Sequence, residues 1–217
     1  MRRIVRLIQR LPFTLIMLVT LVIGALLTNT HTDALSTYWL NRLGFAPHDV
    51  WYWRWERLLT SALVTSGNWV FWQALGMVAL AVGAAEWLAG TRRTIITFWG
   101  VHLVTLLVES LLIAWPLHQS GSATGTALVM ARDVGPSAGY FACLGLACAR
   151  FPRKLWGKIA GSIIFIGLLV TLGQSINRTD VVKVFADLAH VLAFPLGWLT
   201  ARWPRQKKKS QNKEANV

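Results

Sequence analysis

Ser137 stands in the run Gly135-Pro136-Ser137-Ala138-Gly139, and His190 follows 53 residues further along the chain. A serine hydroxyl is a weak nucleophile until a neighbouring base removes its proton, and an imidazole within hydrogen-bond reach is such a base. Together the two suit acyl transfer, in which serine attacks a carbonyl and histidine hands the proton to the leaving group. The G-x-S-x-G run means little alone, because small residues also serve helix packing in membranes. Asp187 lies three residues before His190, where it could orient the ring. His102 and Glu109 are seven apart and share a helix face. They read as a proton relay or, equally, as packing groups with internal hydrogen bonds. Cys143 and Cys148, five apart, fall on different faces of one helix and cannot pair with each other. No metal-ligand spacing is present, and neither a metal nor an organic cofactor is implied.

The elements that must position these residues are written in the uncharged runs. Leu11–Asn29 carries no charged side chain over 19 residues, Leu58–Ala85 none over 28 and Ile159–Asn177 none over 19. Thr94–Val108 and Ser110–Ala131 are interrupted only by Glu109, and Val134–Ala149 is clean for 16. Charged residues make up 14 % of the chain, against about 25 % in soluble domains. That balance excludes disorder and argues against an ordinary soluble enzyme. A bilayer core needs about 20 apolar residues per helix. The runs therefore predict an all-α polytopic membrane protein with six spans, at about 11–29, 68–89, 94–115, 136–150, 159–176 and 183–201. The fourth is short.

The net charge of +13 first suggests a nucleic-acid partner. Six spans sort it differently. Sixteen of the 22 basic residues fall on one side: Arg2 to Arg10, Arg92 and Arg93, Arg150 to Lys158, and the tail from Arg202. Such a bias puts both termini in the cytoplasm and leaves no need for nucleic acid. The domain reading is a basic cytoplasmic N-terminus (1–10), a membrane domain (11–203) and a disordered basic cytoplasmic tail (204–217). The first span resembles a signal peptide but lacks a small-x-small cleavage site, so it is read as retained. The outer segment 30–67 is rich in Trp and Tyr, which favour the headgroup level. Ser137 and His190 sit in spans that both enter from the outer side. If the 120–135 loop dips inward, as a short fourth span requires, their side chains reach one depth.

Over about Trp55–Trp203 these features resemble the rhomboid family of intramembrane serine proteases. Arg57 corresponds to the arginine of the family's first-loop Trp-Arg motif, with Glu56 where tryptophan is usual. Glu86 and Gly90 match the E-x-x-x-G that closes the second helix. Ser137 matches the nucleophile opening a short fourth helix, and His190, followed by Ala193 and Gly197, matches the base on the sixth. The resemblance implies a rhomboid-like six-transmembrane-helix bundle in a bacterial inner membrane. It implies an intramembrane serine endopeptidase that cuts membrane-protein substrates in or near a transmembrane helix, using a Ser137–His190 dyad. Phe141, one turn after Ser137, would pack beside the imidazole.

Several positions depart from the family pattern. The places of its H-x4-H-x3-N hold Thr65, Val70 and Ala74, Pro136 precedes the nucleophile without an N–H, and Ala138 replaces glycine. Losing one oxyanion donor costs about 10²–10³ in turnover. Asn68, Gln73 and Gln119 are the amides that could substitute. The alternative is a rhomboid-like pseudoprotease that binds transmembrane helices without cutting them. A small proton-coupled transporter using His102, Glu109, Asp187 and His190 is the remaining rival, although no inverted repeat supports it.

Overall fold

The computed structural model describes residues 10–178 and 180–203, so Arg2, Arg3, Arg6 and the tail 204–217 lie outside it. The described residues are helical, with no strand beyond two isolated bridges, Ala34 to Gly67 and Phe45 to Asp133. Four helices are long and apolar enough to cross a membrane: Trp69–Ala89, Thr91–Gln119, Lys154–Asn177 and Val181–Thr200. Pro12–Thr28, with 17 residues, and Ser137–Arg150, with 14, are shorter.

Helix α1 (Pro12–Thr28) opens on a proline, whose missing N–H would have had no helical partner. Its next free N–H groups, on Phe13 and Thr14, donate to the Glu86 carboxylate at 3.0 and 2.8 Å, and Thr14 Oγ1 adds a third bond at 2.7 Å. Phe13, Met17, Leu21 and Ala25, four apart, face the core, while Ile16, Val19, Ile23 and Leu27 face outward.

The 30–67 segment contains α2 (Thr37–Leu43), a 3-10 turn at Pro47–Val50 and the one-turn α3 (Arg57–Thr60). Tyr38, Tyr52, Trp53 and Trp55 are exposed, as an interfacial loop requires. Asp49 is completely buried within the segment.

Helix α4 (Trp69–Ala89) and α5 (Thr91–Gln119) are joined by Gly90 alone, at φ 86°. A side chain is strained at that angle, so glycine makes the one-residue reversal possible. α5 does not stop near 115 as the hydrophobic run predicts. A π turn at Glu109–Ala114 re-registers the backbone just before Pro116, and the helix continues to Gln119. The 120–135 loop is not a plain connection either. It holds α6 (Ala123–Met130), capped by the Ser122 hydroxyl, and then an extended stretch paired with Phe45.

At the centre is α7 (Ser137–Arg150), buried on nearly every side by α4, α5, α8 (Lys154–Asn177) and α9 (Val181–Thr200). α8 is peripheral and buries only Gly157, Gly161, Leu168 and Ser175. α7 and α9 make the closest approach. A Cβ on Gly197 would strike the Ala142 carbonyl, and one on Gly145 the Phe194 carbonyl. This close backbone packing sets the depth of every side chain on the two helices.

Candidate active site

Gly135 and Gly139, which flank Ser137 in the motif, have separate structural reasons. Gly135 has φ 143° and donates its N–H to the Ser61 carbonyl at 2.8 Å, tying the approach segment to the first loop. A Cβ on Gly139 would sit 2.5 Å from the Phe98 ring. Between them Ser137 is the first residue of α7 and half-buried. The first helical bond runs from Tyr140 N–H to Pro136 O (2.9 Å), so the N–H groups of Ser137, Ala138 and Gly139 have no acceptor within the helix. A helix N-terminus with free N–H groups favours negative charge.

His190 has two neighbours that orient its ring, one of them held in turn by a third residue. The Phe141 ring, one turn below Ser137, packs against the imidazole with centroids 4.5 Å apart. Nδ1 lies 3.6 Å from Asp187 Oδ1 on the same helix, and Asp187 Oδ2 accepts a short hydrogen bond from Ser175 Oγ on α8. Nε2 is buried and has no hydrogen-bond partner among the described residues. Among the described residues no hydrogen bond joins Ser137 Oγ to His190 Nε2. Catalytic contacts often tighten only with substrate bound. Asp187, placed in sequence only as a possible orienter, does face the ring. Ser175 was not foreseen, because a serine on a lipid-facing helix gives no pattern of its own.

A cavity of about 20 Å³, room for one water, is lined by Ser137 and by Ser61, His102 and Asp133, among others. Among the described residues Ser61 Oγ and His102 Nδ1 are buried without protein partners, while His102 Nε2 donates to the Leu58 carbonyl at 2.9 Å. Asp133, in the extended stretch before α7, accepts from Val134 N–H at 2.8 Å. Burial pushes its carboxyl from the ordinary 3.8 up to about 6, opposed by that hydrogen bond and by the charge of nearby His190. His102 and Glu109 share a face as expected but make no common contact line. His102 anchors the first loop, and both carboxyl oxygens of the buried Glu109 lack partners among the described residues.

The remaining motif positions resolve differently. Arg57 is buried and donates to Asp49 Oδ1 at 2.9 Å, while Arg132 reaches Asp49 Oδ2 at 2.7 Å and the Gly44 carbonyl at 2.7 Å. Asp49 also accepts from Ala46 N–H at 2.9 Å. It is thus the acid that locks the first loop to the segment leading into Ser137, and sequence reasoning missed it. Glu86 caps α1, and Gly90 makes the turn described above. Thr65 is buried, Val70 points outward and Ala74 is buried, so none offers the imidazole or amide usual there. Asn68, Gln73 and Gln119 are all exposed and none lines the Ser137 cavity, which removes them as substitutes. Among the described residues no group of three or more His, Cys, Asp or Glu side chains could hold a metal. Comparisons with known protein families, curated proteins and solved structures find no match to this chain.

Proposed function

We propose that the protein is a rhomboid-like intramembrane serine endopeptidase, a six-helix bundle of a bacterial inner membrane with both termini cytoplasmic. In this reading α1 and α7 join the four longer helices as spans. One observation carries it: Ser137 opens a short, buried central helix whose Phe141 packs on a histidine with a free Nε2 and an Nδ1 facing a carboxylate.

On this reading Ser137 Oγ attacks the scissile carbonyl of a substrate's transmembrane or juxtamembrane segment. His190 Nε2 takes the hydroxyl proton and returns it to the leaving amine, leaving an acyl-enzyme. Asp187 holds Nδ1–H and balances the imidazolium charge. The free N–H groups at the start of α7 supply the oxyanion donors in place of side chains. Water for deacylation reaches Ser137 through the small polar cavity beside Ser61, His102 and Asp133.

The second reading is a pseudoprotease that binds transmembrane helices. Val70 and Ala74 in place of donors, and the lack of a hydrogen bond from Ser137 to His190 Nε2 among the described residues, favour it. The test is to reconstitute the protein in liposomes with single-span substrates and a fluorophosphonate serine probe. Cleavage and labelling are expected in the wild type, and both should vanish in Ser137→Ala and in His190→Ala. A wild type that neither cuts nor labels, yet retains the substrates, makes the pseudoprotease the right account.

A further inference from the structure

At the end of the bundle opposite Ser137, where α7 ends, α8 begins and α9 ends, lies a cavity of about 450 Å³. Its size is that of a small-molecule site rather than a packing fault. Arg150, Lys154, Lys158 and Arg202, drawn from three separate parts of the chain, line it, and among the described residues no carboxylate does. Among the described residues no Asp or Glu lies within ion-pair distance of Lys154, Lys158 or Arg202. The apolar part of the wall includes Phe151 and Trp198. One arginine is also held in place, since Arg150 donates to the Ala201 carbonyl at 2.5 Å.

Topology alone accounts for basic residues at this end of the bundle. It does not account for their arrangement around a hollow. Lys154, Lys158 and Arg202 are like charges facing one cavity; they repel one another, and that cost is offset when an anion sits among them. A phosphoryl group fits the chemistry: arginine offers it paired N–H donors, and lysine a compact charge. The aromatic wall suits the glycerol and first methylenes of a lipid, and basic pockets between helices on this side of a membrane take anionic headgroups.

We infer that this cavity binds a phosphate-bearing anion, supplied either by an anionic phospholipid headgroup or by soluble phosphate. The inference stands independently of the protease reading. It is tested on the full-length protein in nanodiscs of phosphatidylcholine, with and without phosphatidylglycerol, and separately with inorganic phosphate added. Lipid kept through detergent extraction is counted by native mass spectrometry, and melting temperature is followed for each sample. Lys154→Gln/Lys158→Gln is compared with Arg42→Gln/Lys183→Gln, which removes equal charge elsewhere. Both double variants should melt with the wild type in phosphatidylcholine alone, confirming that they fold. At about fivefold per lysine, the pocket variant should hold phosphatidylglycerol roughly 30-fold more weakly, and the control should match the wild type. A melting shift by inorganic phosphate that the pocket variant alone loses identifies the soluble source, and a loss confined to phosphatidylglycerol identifies the headgroup. Equal behaviour of the two variants toward both ligands overturns the inference.

Discussion

At His190 the two ring nitrogens meet different surroundings, and the difference assigns their roles. Nδ1 faces Asp187, itself bound by Ser175, while Nε2 is buried and free. On the protease reading Asp187→Asn should lower kcat by about 10²–10⁴ with little change in KM, because it disturbs tautomer and charge rather than binding. Cleavage kinetics on a single-span substrate measure this. Asp133 offers a test that needs no substrate. Its carboxyl is raised to about 6 when folded, so the neutral form is favoured. Its contribution to stability is complete below about pH 3.8 and is lost as pH rises through 6. Unfolding followed from pH 4 to 7 should show that decline, and Asp133→Asn should flatten it. Ser137 and His190 stand out in the sequence because their types and neighbours form a pattern. Asp49 does not. A single acid in a loop has no periodicity, and its partners Arg57 and Arg132 stand 8 and 83 residues away.

Helices were legible where uncharged runs were long, because the bilayer requirement writes itself into composition. Their continuations were not. The span read from the sequence ends at about 115, yet the π turn at Glu109–Ala114 shifts the hydrogen-bond register ahead of Pro116 and carries α5 to Gln119. α6 escaped notice because Ala123–Met130 has one polar cap and no charge to mark its ends. Packing between α7 and α9 makes a sharper claim than either helix alone. Gly197→Ala would press a methyl into the Ala142 carbonyl, which belongs to backbone and cannot swing aside. A loss of about 1–3 kcal/mol follows, measurable as unfolding in mixed detergent micelles. Gly76→Ala, where nothing lies within 4 Å, should cost none of it.

Over the whole molecule the charge pattern and the helix order agree on one polarity. Arg10 lies over the Trp87 ring at 4.7 Å, and Arg93 donates to the Trp203 carbonyl at 2.6 Å. These contacts gather the start of α1, the turn between α4 and α5 and the close of α9 at one end. Arg57 and Arg132 meet at Asp49 near the other. On the proposed topology a reporter fused after Val217 that is active only in the cytoplasm should be active, and one inserted between Ser36 and Thr37 should be silent. The reverse pattern would place Ser137 on the cytoplasmic side. The long helices of this architecture were open to reading from hydropathy and charge. The part that was hidden consists of long-range pairs between loops, which leave no local trace.

Glu86 gives the bundle a mechanical clasp. Its carboxylate collects three donors from the first turn of α1, a helix that carries no charge of its own. Under tension applied to the N-terminus, α1 cannot peel away turn by turn from that end. The clasp must break first, and it breaks as a unit. Single-molecule pulling should then record one rupture peak before α1 lengthens, and Glu86→Gln should lower that peak while leaving the later ones in place.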